Sequence, residues 1–503
     1  MRIRSVFITL SLTSLIAGFT PVISHATTLT LNGMAIRTSF SSEISEASTQ
    51  ATVAVAAFHP GDDAWISIAS VDALKWKIIG DYVARTGTTE GVVVRFKMPN
   101  WLPIDHASSL LQFVDEAGNL IIDVQDRPRD FPQLRYFGAP SVTPGQMQLM
   151  TLNNSQGIGA ESYPIAIDQQ KGIRYFERYS GYAMGLRYLT DAIATPLPSG
   201  TPTYAWLGRN DDSRLGVSPG TWYLLDKNFQ RIGRVNAADL KIPGVNSLIA
   251  PEGHGIALAP DGNLLTMYYV PRTVNATFVG GPASADILDC VAAVVVDGVA
   301  KNKFSLWDYS LKNPTLMSKV LHFGENFDSL KNWKSGDIPV DFCHINSMQY
   351  QTKSKSFIIS YRNIDLILSL SADLSRVISI WNYLGVRQHF ARLSADDTLT
   401  FLANGIPGAS HSTVKYILKA SSKKPEIHSV DLPYMLTYCG NASFMNHETL
   451  LWVGDGCGWG PENRLGTSYV VIDDKALEFG GLETLPGSTD WVSYRIDLAP
   501  TPV

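Results

Sequence analysis

A repeated structural unit in the C-terminal half constrains the fold of this chain more than any other feature. Each copy consists of a strand, a turn built around Asp and an outer strand, as in residues 220–233, 366–381 and 468–479. His389 follows His344 by 45 residues, and Cys439, at the same point of the next copy, follows by 50. Repeats of roughly 40–50 residues with four strands are typical of propeller blades, and the available length predicts about six of them.

The first 26 residues have the pattern of a signal peptide that is removed on export. Arg2 and Arg4 precede an apolar run over residues 6–19, and Ser24-His-Ala26 is a small-x-small cleavage site. The alternative is a membrane anchor, but the run is short for a span of about 20 residues. We therefore expect an exported protein without a membrane insertion, located in a bacterial periplasm.

The remaining chain reads as two all-β domains. Residues 27–135 predict a small β-sandwich, because short strands alternate with turn signals at residues 28–31, 51–55, 65–68, 91–96 and 120–124. Residues 126–132 predict a linker, and residues 140–503 predict the propeller. The fold class expected is therefore a six-bladed β-propeller preceded by an N-terminal β-sandwich.

Composition narrows the function. Charged residues make up 17% of the chain and the net charge is −5. This balance lacks the excess of positive charge that nucleic-acid-binding proteins use to contact phosphates. The four cysteines, Cys290, Cys343, Cys439 and Cys457, allow three disulfide connectivities. Cys439 and Cys457 flank one predicted hairpin, which favours that pair. No Cys-x-x-Cys spacing indicates a zinc or redox motif.

Three histidines begin similar phrases in the repeat. In the phrases of His254 and His389 an Asp follows seven residues later, at Asp261 and Asp396, and His344 begins a third phrase of the same kind. The first strand of each propeller blade lines the central channel, so residues at the start of these strands should converge at its mouth. The 90 residues from His254 to His344 predict one blade with an insertion rather than two blades.

Arg362 indicates that the histidine cluster binds an oxyanion. It follows His344 by 18 residues, one strand out and one strand back, and should return to the same rim. A guanidinium beside neutral imidazoles suits an oxyanion such as sulfate or phosphate. One imidazole can then attack as a nucleophile while the other groups hold the equatorial oxygens.

Two other interpretations of the histidines compete with this one. The histidines could be structural residues of a scaffold propeller, and Trp307-Asp308 superficially matches a repeat signature of that class. Three histidines could also bind zinc through an open site. Arg362 argues against zinc because it would repel a divalent cation, and we predict no metal and no cofactor.

The sequence around these residues resembles the bacterial arylsulfate sulfotransferases, most strongly over residues 340–405. The resemblance rests on four segments in the family's order: Asp341-Phe-Cys-His344-Ile-Asn346-Ser347-Met, Ile-Ile-Ser-Tyr-Arg362-Asn, Gln388-His389-Phe-Ala391-Arg392 and Leu402-Ala-Asn404-Gly405. No Gly-rich loop for a phosphoadenosine donor is present.

The resemblance implies a function. A sulfuryl group would pass from a phenolic sulfate ester to a phenol by a ping-pong mechanism. The resemblance is also compatible with a homodimer. His389 would be the nucleophile that forms a sulfohistidine, and His344 and Arg362 would grip the sulfuryl oxygens. His254 would complete the catalytic group as acid or base, and Asn346 would orient the groups that bind substrate.

Three positions depart from the family pattern. Gly255, Phe390 and Ala403 stand where the family often has Asp. These substitutions remove carboxylates that would set imidazole tautomers. Two rival functions are an aryl sulfatase that uses water as acceptor and a non-catalytic exported propeller that binds a protein or glycan partner.

Overall fold

The computed structural model describes residues 28–502 outside a set of gaps, and strands dominate the described part, which confirms the all-β class. The gaps are residues 33–35, 40–50, 56, 62, 70–76, 80–83, 89–90, 115–119, 139–144, 155–160, 190–199, 210–219, 237–250, 260, 278–279, 297–298, 314–328, 383–386, 406–408, 437–438, 447–449, 455–463 and 486–490. The predicted signal peptide, residues 1–26, lies outside the described part. No helix in the described ranges is long and apolar enough to cross a membrane.

The chain divides into two compact units, residues 1–134 with 165–178 and residues 135–164 with 179–503. The first unit begins with β1 (Thr28–Asn32), β2 (Ile36–Ser39), β3 (Ala51–Val55), β4 (Ala57–Phe58), β5 (Asp63–Ala69), β6 (Lys77–Ile79), β7 (Ala84–Thr88), β8 (Gly91–Lys97), β9 (Ser109–Val114) and β10 (Leu120–Gln125). Apart from β4, these strands form one sheet in the order β1-β5-β8-β7 and another in the order β2-β3-β10-β9-β6. The five strands predicted here from sequence are confirmed.

The predicted linker at residues 126–132 is a packed part of the first unit. Asp126 is fully buried and pairs with Arg127 at 2.9 Å. The guanidinium of Arg127 also donates to the main-chain oxygen of Pro103 and lies 5.3 Å from the ring centre of Phe131. A segment that carries a buried ion pair and a buried aromatic ring is anchored, so the linker prediction was wrong. The Pro and charge pattern could not show that these charges satisfy each other internally.

Strands β11 (Leu134–Gly138), β12 (Gln146–Asn154), β13 (Glu161–Asp168), β14 (Gly172–Glu177) and β15 (Tyr179–Ser180) come next. β13 runs from the second unit into the first, where its end pairs with β14 and β14 pairs with β4.

The second unit has a propeller-like arrangement of four blades, each an antiparallel run of consecutive strands. Blade 1 is β16 (Ala183–Tyr188), β17 (Tyr204–Arg209), β18 (Gly220–Leu225) and β19 (Arg231–Val235); blade 2 is β20 (Ile256–Leu258), β21 (Leu264–Val274), β22 (Ala285–Val296) and β23 (Val299–Ser305). After α1 (Leu306–Lys312) and β24 (Val340–Asp341), blade 3 is β25 (Ile345–Gln351), β26 (Ser356–Tyr361), β27 (Leu366–Ser371) and β28 (Val377–Trp381), and blade 4 is β29 (Gln388–Leu393), β30 (Leu399–Ala403), β31 (Thr413–Leu418) and β32 (Glu426–Asp431).

Five further strands complete the chain: β33 (Asn441–Asn446), β34 (Leu450–Gly454), β35 (Arg464–Ile472), β36 (Lys475–Thr484) and β37 (Trp491–Pro500). β33 to β36 form another antiparallel run, which joins blade 4 through a single parallel bridge between Asp431 and Lys475. β37, near the C-terminus, pairs with β12.

Consecutive blades pack face to face through shared apolar cores. Along β26, Ile359 belongs to the core shared with blade 2, whereas its neighbour Ile358 belongs to the core shared with blade 4. Along β30, Phe401 faces blade 3 and Leu402 faces the β33–β36 sheet. Successive side chains of a strand point to opposite faces, so near-continuous apolar runs are what doubly covered sheets require.

A single blade lies between His254 and His344 in the described residues, as the sequence predicted, but the additional elements follow β23 and do not lie at residues 271–285, where the Pro- and Gly-rich composition favoured an insertion. After β23 the chain forms α1, and β24 then pairs in parallel with β22 before blade 3 begins. Trp307-Asp308 lies in α1, where Ser305 caps the helix and Asp308 pairs with Arg272 at 2.7 Å. These residues therefore do not form a blade-end repeat signature.

A disulfide joins blade 2 to the start of blade 3. Cys290, on β22, bonds to Cys343, with 6.2 Å between their Cα atoms. The pairing favoured from sequence, Cys439 with Cys457, involves a residue outside the described part, and Cys439 is itself disulfide-bonded. Hairpin proximity could not reveal the bridge of Cys343 because β24 brings it to β22 from a distant part of the chain.

Removal of the Cys290–Cys343 bridge should destabilise the protein. The bridge closes a loop of 53 residues, for which the chain-entropy relation gives a loss of up to about 4 kcal/mol in the free energy of unfolding. Urea denaturation of the Cys290→Ala, Cys343→Ala double variant, compared with the wild type, measures this loss. An unchanged unfolding midpoint would show that the bridge does not constrain the unfolded chain.

Candidate functional site

Three consecutive blades place one histidine each at the start of their innermost strand. His254 lies two residues before β20, His344 directly precedes β25, and His389 is the second residue of β29. The rings of His254 and His344 lie 4.9 Å apart between centroids, with 62° between their planes. His389 lies close enough to His344 for the two imidazoles to interact electrostatically. The structure therefore brings the three predicted histidines together.

Carboxylates hold two of these imidazoles in place. Glu252 contacts Nδ1 of His254 with one oxygen and accepts from its main-chain N–H with the other, at 2.6 Å. Asp341 does the same for His344, with 2.5 Å to Nδ1 and 3.1 Å to the main-chain nitrogen. This double contact supports the left-handed backbone of His344, whose φ is +44°. In each ring Nδ1 faces a carboxylate, so Nε2 is the nitrogen left for substrate.

His389 is held by neutral acceptors. Its Nδ1 lies 2.6 Å from Oδ1 of Asn404 and 3.1 Å from the main-chain oxygen of Arg387. The amide nitrogen of Asn404 donates to the main-chain oxygens of Leu436 and Cys439, which fixes the direction of the amide. Both groups that face Nδ1 are therefore acceptors, and Nδ1 must carry the proton.

The opposite nitrogen of His389 is available for chemistry. The residue is fully buried, and Nε2 has no hydrogen-bond partner among the described residues. With the proton on Nδ1, Nε2 keeps a lone pair that no hydrogen bond of the described residues uses. Burial, together with the positive charge of Arg362, holds the pKa of His389 well below its ordinary 6.5. The imidazole is thus neutral and nucleophilic at physiological pH.

The chain returns at Arg362 to the end of the sheet where His344 lies. Its main-chain N–H donates to the oxygen of His344 at 2.8 Å, where β26 ends in a short 3₁₀ turn. Its side chain is buried and donates to Oδ1 of Asn363 at 2.7 Å, and Asn363 in turn donates to the main-chain oxygen of Asp341. The guanidinium is therefore oriented by the turn that also carries His344.

Asn346 connects three inner strands. It is fully buried, and its amide nitrogen donates to the main-chain oxygen of Gln388 on β29. Its own main-chain oxygen accepts from Arg495 of β37 at 3.0 Å. Oδ1 has no partner among the described residues. Asn346 thus sets the distance between the strands that carry His344 and His389.

Sequence reasoning missed Arg495 and Glu252. Arg495 is fully buried on β37, its ring neighbours are Tyr494 at 4.5 Å and Phe390 at 5.4 Å, and its charge lowers the pKa of His389. Burial and then the charges of His344 and Arg495 also hold the pKa of His254 well below 6.5. The spacing Glu252-x-His254 was visible in the sequence. Arg495 lies outside every repeat phrase, so only the pairing of β37 with β12 could place it.

The positions that depart from the family pattern leave no gap at the site. A side chain at Gly255 would come within 2.5 Å of Met348 Cγ, so Asp could not occupy this position without rearrangement. Phe390 adopts φ +57° and its ring lies 3.7 Å from the guanidinium carbon of Arg392. Glu252, Asp341 and Asn404 orient the imidazoles instead. No group of three His, Cys, Asp or Glu in the described ranges is placed to hold a metal ion.

Comparisons with known proteins give no family. No family model and no curated protein sequence matches the chain. Solved structures with similarity include a Bacteroides caccae protein of unknown function, at 8% identity and TM-score 0.39, with 70% of this chain and 98% of that chain covered. A nidogen–laminin complex has 11% identity and TM-score 0.37, with 71% of this chain and 100% of that chain covered. Virginiamycin B lyase from Staphylococcus aureus has 10% identity and TM-score 0.30, with 67% of this chain and 100% of that chain covered. Similarity this low carries no argument about function.

Without the amide of Asn404, His389 should no longer be held in a single tautomer. In the wild type, nitrogen NMR of labelled histidine should show Nδ1 protonated and Nε2 unprotonated, whereas Asn404→Leu should give a mixture of tautomers. Asn363→Leu, which removes an amide beside His344, is the matched control and should leave His389 unchanged. If His389 keeps one tautomer in Asn404→Leu, the amide does not set it.

The two buried neutral histidines should make stability depend on pH. Because the pKa of His389 and of His254 is lowered on folding, the unfolded chain binds more protons below pH 6.5. The free energy of unfolding should therefore fall as pH decreases from about 7 to 5, with a slope that approaches about 1.4 kcal/mol per pH unit for each histidine once the pH is well below 6.5. Urea denaturation of wild type and His389→Gln should give a shallower slope in the variant. Equal slopes would contradict a neutral His389.

Proposed function

We propose that this protein is an arylsulfate sulfotransferase with His389 as its nucleophile. The observation that carries the proposal is the buried, unpartnered Nε2 of His389, whose tautomer leaves a lone pair on a ring that lies in the positive field of Arg362 and Arg495. A nucleophile between fixed positive charges suits an ester that is itself anionic. The motif resemblance over residues 340–405 supports the same reaction.

The first half-reaction moves the sulfuryl group onto the enzyme. Nε2 of His389 forms a bond to sulfur, the bond between sulfur and the aryl oxygen breaks, and the electron pair leaves with the phenolate. Arg362 and His344, from the same turn of the chain, hold the sulfuryl oxygens as charge shifts among them. Nδ1–H of His389 stays on Oδ1 of Asn404, which stabilises the positive charge that the ring gains.

The second half-reaction returns the sulfuryl group to a phenol. A phenol oxygen attacks sulfur, the nitrogen–sulfur bond breaks, and His389 recovers its lone pair. The phenol must lose a proton, and His254 is suited to accept it: burial keeps this imidazole neutral, and Glu252 stabilises it once it is protonated. We therefore assign His254 as a base rather than an acid.

Exclusion of water favours transfer over hydrolysis. His389 is fully buried and His254 is almost so. Water as an acceptor, which would make the protein a sulfatase, needs access to the sulfohistidine. The expected partners are a phenolic sulfate donor and a phenol acceptor, with no cofactor.

The finer architecture is part of the proposal. We assign β33 to β36 as a fifth blade and β37 with β12 as the start of a sixth. The two sheets of the first unit form the predicted sandwich. Cleavage of residues 1–26 and export to the periplasm fit a chain with disulfides, and a homodimer follows from the family resemblance.

The decisive experiment is transfer from 4-nitrophenyl sulfate to phenol. His389→Gln should lower kcat/KM by about 1,000-fold or more, because a covalent nucleophile is lost. His411→Gln, an exposed histidine of blade 4, is the matched control and should keep full activity. Ping-pong kinetics are expected, with one added SO₃ group on His389 in a rapidly quenched sample without acid.

Two results would overturn the proposal. Equal nitrophenol release by wild type and His389→Gln would remove His389 as nucleophile. No release by the wild type with a range of aryl sulfates would favour the non-catalytic propeller that binds a partner.

A further inference from the structure

A partly polar cavity lies beside the innermost strands of blades 1 to 4, a few residues along these strands from the histidines. It has a volume of about 30 Å³, more than the roughly 10–15 Å³ that one water needs. Its wall includes inner-strand residues that follow His254, His344 and His389 by two to six positions. The polar residues of the wall are Arg187, Tyr188, Gln349, Tyr350, Arg392 and Asp497.

Arg187 is the residue that makes this cavity unusual. It is 2% exposed, and its Nη2 donates to the main-chain oxygens of His254 and Gly253. Nε and Nη1 have no hydrogen-bond partner among the described residues. A guanidinium cannot lose its proton, so burial without an anion costs several kcal/mol.

The surroundings of Arg187 increase the positive charge. Burial and then the charges of Arg495 and Arg392 hold the pKa of Arg187 well below its ordinary value. One carboxylate, that of Asp497, lines the cavity and accepts from the main-chain nitrogens of Tyr188 at 3.4 Å and Leu498 at 3.2 Å. Two guanidiniums and one carboxylate leave the cavity wall with a net positive charge.

We propose that this cavity binds a small inorganic oxyanion of the size of sulfate or phosphate, held by Arg187 and Arg392. The unpartnered N–H groups of Arg187 supply charge-assisted hydrogen bonds, and Arg392 supplies the second positive charge from blade 4. The bound anion ties β16 of blade 1 to β29 of blade 4 across the channel. This site is separate from the histidine cluster and does not depend on sulfuryl transfer.

Sulfate binding to the full-length protein tests the proposal. Calorimetry and thermal unfolding should be run with sodium sulfate, at an ionic strength kept constant with sodium gluconate. In the wild type, sulfate should raise the Tm. Arg187→Met and Arg392→Gln should weaken sulfate binding by about tenfold or more, and Arg231→Met, an exposed arginine of blade 1, should not.

A stability measurement without sulfate and one double variant complete the test. In sulfate-free buffer Arg187→Met should be at least as stable as the wild type, because it removes a buried charge without a partner. If that variant does not fold, Arg392→Gln, at a half-buried position, carries the test. Loss of sulfate binding in His389→Gln with Arg362→Gln would place the anion at the histidines. Either that result or unchanged binding in Arg392→Gln would overturn the proposal.

Discussion

The face-to-face packing of consecutive four-stranded sheets is the constraint on which the rest of this structure depends. Ile358 and Ile359 are neighbours in the chain, yet each is buried in a different core because a strand points successive side chains to opposite faces. Sheets covered on both faces must stack in series, and their innermost strands then run beside one channel. The positions of the three histidines follow from this stacking, since each lies within two residues of the start of the innermost strand of its blade.

Bringing three histidines together would not by itself produce a reactive site, because a neutral imidazole can carry its proton on either nitrogen. In each of the three blades, a short polar contact to Nδ1 fixes the tautomer. Glu252 and Asp341 do so for two rings, and the amide of Asn404 does so for His389. The difference matters, because a carboxylate stabilises its imidazole once the ring accepts a proton, whereas the neutral amide of Asn404 fixes the tautomer of His389 without adding a negative charge. One cluster therefore contains imidazoles with different electrostatic roles.

The channel contains more buried positive charge than the histidine cluster needs in order to bind an anion. Arg362 and Arg495 lie at the cluster and Arg187 lies next to it, all buried. Burial of several guanidiniums is costly unless anions or main-chain oxygens meet them, and in this channel main-chain oxygens of Asn346 and His254 do so only in part. The proposed anionic substrate and the proposed second oxyanion would each place negative charge beside these buried guanidiniums.

The sequence by itself determined the strands, the repeat and the return of Arg362 to the turn of His344, because these depend on local periodicity and on distances along one hairpin. It also contained Asp341 and Asn404 within recognisable motifs. Only the tertiary structure decided the roles of Arg495 and Arg187, the burial of Asp126 with Arg127, and the bridge from Cys290 to Cys343. Each of these depends on strands that are far apart in the chain and meet only when the sheets pack, and no local pattern records such a contact.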